Sequence, residues 1–274
     1  MAQTSRARWF RRRPVLLFVI VTFLVSYGLG IPALFIVGAG APGIHQVTAL
    51  YAGRFFVVIG PTCGAIAVIS ATSGRRAIPS FLRGQLCLPK ASWAFVILFP
   101  LLAMTLVLAA YACAGSPLGT LAAALRAAWP LLLIHIALQF LTVGLGEELG
   151  WRGWLLPTLT GRHGLPRATF ATGIVWYFWH IPILLGGVHD AFWFGVAITG
   201  LSMILSVIWF LSGRSAVLPA LAHGSLNAVV VFLTATLPEA DHKLAWTIIS
   251  GMLAVSGLGA FVWARAAWRE GSKA

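Results

Sequence analysis

Long runs of apolar residues, separated by short polar segments, recur along the chain. Most runs have the ~20 residues that a helix needs to cross the ~30 Å hydrocarbon core of a bilayer. Strict strand-like alternation is absent, and backbone in lipid must satisfy its own hydrogen bonds, so the pattern predicts an all-α, polytopic transmembrane helical bundle. The eight predicted spans cover about residues 14–38, 48–72, 92–114, 128–148, 168–187, 192–212, 215–236 and 245–264.

Composition agrees with this pattern: 59% of the residues are hydrophobic, 9% are charged, and the mean hydropathy is +0.92. These values are typical of a membrane protein and exclude a soluble core. The spans account for most of the chain, so we expect one membrane domain over 14–264. A basic segment, 1–13, precedes it and a basic tail, 265–274, follows it.

The net charge of +13 raises the question of a nucleic-acid partner. The basic residues instead concentrate in alternate loops, which is the positive-inside pattern and places both termini in the cytoplasm. Such loops suit anionic lipid headgroups, so the predicted partner is the bilayer and not nucleic acid. The Ala- and Arg-rich composition points to a bacterial plasma membrane. Basic side chains of the predicted cytoplasmic segments include Arg6, Arg8, Arg11, Arg12, Arg13, Arg75, Arg76, Arg83, Lys90, Arg162, Arg167, Arg214, Arg265, Arg269 and Lys273.

Two of the six acidic residues, Glu147 and Glu148, are adjacent inside an apolar run. A carboxylate inside a bilayer costs roughly 2.5–3.5 kcal/mol even on lenient insertion scales, so it needs a partner or a function. Residues four apart share a helix face, so Glu148 is expected to pair with Arg152. Glu147 points about 100° away from that pair and is left for chemistry.

Two further polar sites lie in other spans. Span five places His180 one turn after Trp176, and span seven carries His223 and Asn227 four residues apart on one face. If the fourth helix continues to about residue 160, all these side chains lie ~12–20 Å from the cytoplasmic helix ends. A carboxylate, two imidazoles and a carboxamide would then share one layer, provided that the three helices are neighbours.

The ordered set Glu147-Glu148-x-x-x-Arg152, Trp176-x-x-x-His180 and His223-x-x-x-Asn227 resembles the CAAX protease and bacteriocin-processing (CPBP, or Abi) family of intramembrane proteases. The resemblance covers about residues 128–236. Trp176 stands where the family pattern often has Phe, a departure expected to reshape the pocket and leave the proton chemistry intact.

The resemblance implies an intramembrane endopeptidase that hydrolyses a peptide bond of a membrane-associated protein or peptide. In that reading Glu147 activates water, His180 positions the water and protonates the amine, and His223 and Asn227 stabilise the oxyanion. Supporting roles in the same site fall to Glu148, Arg152 and Trp176.

Glu147, His180 and His223 also form a two-His, one-Glu set, which is a known ligand set for catalytic Zn²⁺. The compact His-Glu-x-x-His signature is missing, and Asn227 suits an oxyanion donor, so a metal-free mechanism is favoured over the zinc alternative.

Two functions of other classes stay open. One is a non-proteolytic membrane scaffold, acting in bacteriocin self-immunity or sensor-kinase regulation, as described for some proteins that resemble the family. The other is a proton-coupled transporter, for which Glu and His at mid-depth would suffice, although the chain shows no inverted repeat.

Overall fold

The computed structural model describes residues 12–32, 54–88, 93–185, 190–237 and 242–271. The regular structure within these ranges is entirely helical. The predicted all-α, multi-helix membrane fold is thereby confirmed.

The helices used below are labelled in chain order. They are α1 Pro14–Phe23, prolonged by a π-helical segment Leu24–Gly30; α2 Gly60–Thr72; α3 Ile78–Gln85; α4 Trp93–Cys113; α5, which runs through Leu118–Gln139, Phe140–Gly144, Leu145–Gly150, Trp151–Leu155 and Leu156–His163; α6 Leu165–Trp179; α7 Ile181–Leu185; α8 Ala191–Leu211; α9 Val217–Thr236; and α10 His242–Gly271.

Five of the described helices are long and apolar enough to cross a membrane, namely Ala94–Cys113, Trp129–His163, Ala191–Leu211, Val217–Thr236 and His242–Arg269. Pro14–Gly30, Gly60–Thr72 and Leu118–Ala127 are shorter apolar helices. The remaining parts of the first two predicted spans, 33–38 and 48–53, lie outside the described residues. The total of eight spans and the cytoplasmic side of the termini stay predictions.

Two helices are longer than the apolar runs that predicted them. The fourth predicted span, 128–148, lies within α5, which continues past residue 160 to His163. The last predicted span, 245–264, lies within α10, which has 30 residues and continues into the basic tail. Apolar length sets the part of a helix that can sit in hydrocarbon. In α10, good helix formers such as Ala and Arg extend the helix beyond that part.

The fifth predicted span, 168–187, is interrupted. Helix α6 ends at Trp179, and α7 begins at Ile181 after a turn at His180. Proline has no backbone N–H and cannot continue the ladder, so Pro182 leaves the carbonyl of Phe178 without its usual partner. In a continuous α-helix the His180 N–H would bond to the Trp176 carbonyl, four residues back. Here it bonds to the Tyr177 carbonyl, three residues back, at 2.9 Å. His180 therefore lies at a helix end, where the sequence had placed it within a helix.

Small residues let α5 pack closely against its neighbours. A Cβ on Gly144 would lie 2.4 Å from the Ala220 carbonyl oxygen of α9, and one on Gly150 would lie 2.4 Å from the backbone of Pro61 in α2. Close backbone approach of this kind is how membrane helices gain packing energy without a hydrophobic driving force. It holds α5 between α2 and α9, and α6 packs on the last two segments of α5. The three helices with polar side chains are thus neighbours, as the sequence argument required.

Candidate active site

Glu147 and Glu148 lie in a short α-helical segment of α5, Leu145–Gly150, between two π-helical segments. π-Helical turns inside α-helices are rare and occur frequently at functional sites. The Thr62 hydroxyl of α2 donates to the Gly146 carbonyl at 2.7 Å, directly before Glu147. Glu147 is 3% exposed and Glu148 is fully buried. The backbone that carries the two carboxylates therefore has a π-helical segment on each side and is bonded to α2 through Thr62.

One oxygen of the Glu147 carboxylate is held by two indoles. Oε2 accepts a hydrogen bond from Trp176 Nε1 at 2.8 Å and a longer one from Trp151 Nε1 at 3.4 Å. In the part of the chain that the structure describes, no protein donor bonds to the other oxygen, Oε1. The carboxylate is thus oriented through Oε2, and the lone pairs of Oε1 can accept a proton.

Trp151 is a site residue that the sequence analysis missed. It is fully buried and follows Glu147 by four residues, the same spacing that predicted the Glu148–Arg152 pair. Residues at this spacing meet on one helix face. Applied to an indole donor as well as to a guanidinium, the rule would have found Trp151 from the sequence.

The predicted pair of Glu148 and Arg152 is present and fully buried. Arg152 Nη1 donates to Glu148 Oε1 at 2.9 Å, and Nη2 donates to the Ser202 carbonyl of α8 at 3.4 Å. The sequence analysis did not predict that Glu148 also reaches α9, where it accepts from His223 Nδ1 at 3.0 Å. One carboxylate thus ties α5 to α9, and its arginine ties α5 to α8.

The contacts of His223 fix which of its ring nitrogens carries a proton. A carboxylate oxygen can only accept, so Nδ1 donates to Glu148 and Nε2 is the acceptor in the neutral ring. Asn227 Nδ2 lies 3.4 Å from that Nε2. His223 is 3% exposed, and Asn227 is partly buried. The pair on α9 is therefore present as the spacing predicted.

His180 is fixed by the helix end on which it lies. Its Nδ1 is 2.8 Å from the Trp176 carbonyl, which can only accept, so Nδ1 carries the proton and donates. The ring stands edge-on to Trp179, with ring centroids 4.8 Å apart. The side chain that the sequence placed one turn after Trp176 is thus bound to that residue through Nδ1.

Trp176 joins these groups. Its fully buried indole donates to Glu147, its ring packs edge-on against His223 at 5.0 Å between centroids, and the guanidinium of Arg152 lies 4.7 Å above it. A cation over an indole face is attracted by the ring quadrupole. From the sequence, Trp176 was expected to reshape the pocket and leave the proton chemistry intact. That interpretation is incomplete, because Trp176 contacts the proposed base directly.

All seven predicted site residues thus form one contiguous cluster contributed by α5, α6, its terminal turn and α9. The alternative zinc set of Glu147, His180 and His223 does not fit this geometry. Within the described ranges, no group of three His, Cys, Asp or Glu side chains is placed to hold a metal ion. Glu147 Oε2, in addition, accepts hydrogen bonds from two indole N–H groups, which would compete with a metal ion for that oxygen. The chemistry proposed for this site therefore does not use a metal ion.

The fold and the site define an integral membrane protein of the helical-bundle class with a buried acid–imidazole centre. A comparison with known families identifies the segment that carries this centre. Residues 129–229 match the family described as Rce1-like, type II CAAX prenyl endopeptidase, and this segment contains all seven predicted site residues.

A curated relative supports the same family. The chain is 27% identical over 92 residues to "CAAX prenyl protease 2" of Methanococcus maripaludis, an alignment that covers 30% of this chain and 34% of the relative. The match thus spans about a third of the length of that relative. The two comparisons confirm the resemblance to the CAAX protease and bacteriocin-processing family that the three motifs predicted.

Proposed function

We propose that the protein is an intramembrane endopeptidase that hydrolyses a peptide bond of a membrane-associated protein or peptide with a water activated by Glu147. The observation that carries this proposal is the state of the Glu147 carboxylate. It lies in an apolar span, 3% exposed, with one oxygen held by two indoles and the other bonded to no described donor. A buried, oriented carboxylate with one uncommitted oxygen suits a general base.

In the first step, Glu147 Oε1 takes a proton from water while the water oxygen attacks the peptide carbonyl carbon. The carbonyl π electrons move to oxygen and give a tetrahedral oxyanion. Asn227 Nδ2 donates to that oxyanion. In its imidazolium form, His223 also donates to the oxyanion, from Nε2. The carboxylates of Glu147 and Glu148 would balance that positive charge. Donors aimed at a developing oxyanion are commonly worth 10²–10³ in kcat, or roughly 3–4 kcal/mol.

In the second step, the proton on Glu147 passes by way of His180 Nε2 to the amide nitrogen. The C–N bond then breaks, and an amine and a carboxylic acid leave. His180 is suited to this relay because the bond from its Nδ1–H to the Trp176 carbonyl fixes the orientation of the ring. Glu148 and Arg152 take no part in the bond changes and hold His223 and α5 in place.

The proposed partners follow from the position of the site. Water and a peptide must both reach a centre buried among apolar helices, so we expect a substrate that is itself anchored in or on the membrane. The family name suggests a CAAX-type substrate, and in a bacterial plasma membrane other anchored peptides present the same chemistry. The proposal is therefore a membrane-associated peptide, without a defined lipid modification.

The test compares new peptide termini in membranes of cells that express wild type or Glu147→Gln at matched levels. The amide has nearly the shape of the carboxylate and cannot act as a base, so termini made by the protein should be present with wild type and missing with the variant. Thr105→Val is the matched control, because Thr105 lies on the exposed face of α4 and, among the described residues, its hydroxyl bonds only to the Leu101 carbonyl of its own helix.

Loss of all protein-dependent termini in Glu147→Gln, with Thr105→Val retained, would support the proposal and identify the cleaved bond. Termini that persist in Glu147→Gln would overturn the role of Glu147. If wild type produces no new termini, and Glu147→Gln still restores the behaviour of cells that lack the protein, the protein acts as a scaffold.

A further inference from the structure

Trp176 stands where the family pattern often has Phe, and the difference between the two side chains is a hydrogen-bond donor. We propose that the Trp176 indole N–H is a positioning group for catalysis, which binds Oε2 of Glu147 and so assigns proton abstraction to Oε1. The inference rests on the proposed function of Glu147 and adds which oxygen acts and what selects it. It also predicts that this chain depends on an interaction that a phenylalanine cannot supply.

Two indole N–H groups hold the same oxygen of the Glu147 carboxylate. Trp176 Nε1 and Glu147 Oε2 are 2.8 Å apart, a normal length for a hydrogen bond from N–H to a charged oxygen. The Trp151 indole approaches the same oxygen at 3.4 Å. A carboxylate with both donors on one oxygen cannot rotate without losing them. Its second oxygen is therefore held in one direction.

Close contacts hold the Trp176 indole in place. Trp176 is fully buried, with the Arg152 guanidinium 4.7 Å from its ring and the His223 ring 5.0 Å away. Side chains that are locked by packing hold a reacting group within the narrow limits that catalysis requires. The same tryptophan offers its carbonyl to His180 Nδ1 at 2.8 Å. One residue thus sets the direction of the proposed base and of the proposed proton relay.

A purely structural role makes a different prediction. If Trp176 only fills space, a phenyl ring in its place costs stability and leaves the chemistry of folded molecules unchanged. If the N–H positions the carboxylate, its removal lowers kcat in molecules that are fully folded. The experiment must therefore remove the N–H and keep the ring.

Two replacements do this. Trp176→Phe keeps an aromatic ring, and a benzothienylalanine at position 176 replaces the N–H by sulfur with almost no change of shape. With a peptide substrate from the terminus mapping, we expect kcat to fall about 10- to 100-fold in both proteins, the loss typical of one hydrogen bond to a charged group. KM should stay within about twofold, because the interaction acts on the base and not on substrate binding.

Trp209→Phe is the matched control. Trp209 is also a buried tryptophan, but among the described residues its indole nitrogen has no hydrogen-bond partner. Its replacement should leave kcat unchanged. Unfolding temperatures in detergent, measured for every variant, show whether each protein is folded. Should Trp176→Phe fail to fold, the benzothienyl protein decides.

The outcomes separate this inference from the proposed function. If Glu147→Gln abolishes cleavage and both Trp176 replacements keep full kcat, Glu147 is the base and Trp176 does not position it. If both Trp176 replacements lower kcat and Trp209→Phe does not, the inference holds. Cleavage that persists in Glu147→Gln would overturn the proposed function and this inference with it.

Discussion

His223 Nδ1 donates to Glu148 Oε1 at 3.0 Å, on the oxygen that also accepts from Arg152 Nη1 at 2.9 Å. Glu148 therefore connects a cation of its own helix to an imidazole of another helix. A carboxylate on one ring nitrogen fixes the tautomer and the orientation of a histidine. The residue after the proposed base is thus needed to aim His223, in addition to neutralising Arg152.

The first prediction concerns Glu148→Ala. The change leaves the guanidinium of Arg152, which is fully buried, without its carboxylate inside an apolar bundle. Removing one partner of a buried ion pair typically costs about 3–5 kcal/mol. We expect a clearly lower unfolding temperature in detergent and loss of cleavage. Thermal unfolding followed by circular dichroism, together with the peptide assay, measures both.

The double variant Glu148→Leu/Arg152→Met, which removes both charges and the acceptor for His223, separates the two roles of Glu148. Both buried charges are gone, so most of the stability lost in Glu148→Ala should return. His223 has still lost its carboxylate, so activity should stay low. A double variant that is as unstable as Glu148→Ala would contradict the ion-pair explanation, and one with wild-type activity would contradict the orientation of His223 by Glu148.

The second prediction concerns α1, which lies outside the family-matched segment. The Trp179 indole donates to Ser26 Oγ at 2.9 Å, and the Tyr27 hydroxyl donates to the Trp179 carbonyl. Both bonds hold the helix end that precedes His180, where the broken ladder leaves carbonyls in need of donors. We expect Tyr27→Phe and Ser26→Ala to lower kcat several-fold, because one such hydrogen bond contributes about 0.5–1.5 kcal/mol. Steady-state kinetics of the purified protein measures this.

Tyr177→Phe is the control for this prediction. The Tyr177 hydroxyl also bonds to a backbone carbonyl, that of Ala191 at 3.3 Å, but it anchors the start of α8. Its removal should leave kcat close to the wild-type value. Equal losses in Tyr27→Phe and Tyr177→Phe would show a general effect of lost hydrogen bonds and would refute the specific role of α1.

The sequence predicted the contacts between residues of the same helix, because helical spacing brings together residues four apart. Glu148 with Arg152, and His223 with Asn227, follow from that rule alone. Contacts between helices depend on how the helices pack, and the spacing of residues along one helix does not determine that packing. The bond from His223 to Glu148 and the bond from Trp176 to Glu147 therefore became visible only in the structure.

Local breaks in the helices were the other feature that hydropathy did not predict. A hydropathy window averages over about 20 residues, so the turn at His180 was not visible within the predicted span 168–187. The sequence does contain Pro182, a residue that interrupts helices. The π-helical segments around Glu147 have no such marker.

The third prediction concerns metal. The described side chains do not form a three-ligand group, and Oε2 of Glu147 is engaged by indole donors. We expect cleavage by the purified protein to persist after treatment with EDTA or 1,10-phenanthroline, and its zinc content to be well below one ion per chain. Activity that is lost on chelation and returns with Zn²⁺ would mean that Glu147, His180 and His223 rearrange into the zinc set considered from the sequence.

The fourth prediction concerns the contact between α5 and α2. A Cβ on Gly150 would lie 2.4 Å from both the backbone and the side chain of Pro61, a distance that neither rigid group can relieve. Gly150→Ala must therefore push the two helices apart, and overpacking of this kind costs about 1–3 kcal/mol. The same shift moves the Leu145–Gly150 segment that carries Glu147, so we expect kcat to fall together with the unfolding temperature.

Gly161→Ala, also in α5, is the control. It has no atom within 4 Å of the added Cβ and should be as active and at least as stable as wild type. Wild-type stability and kcat in Gly150→Ala would show that the close contact with Pro61 does not position the site.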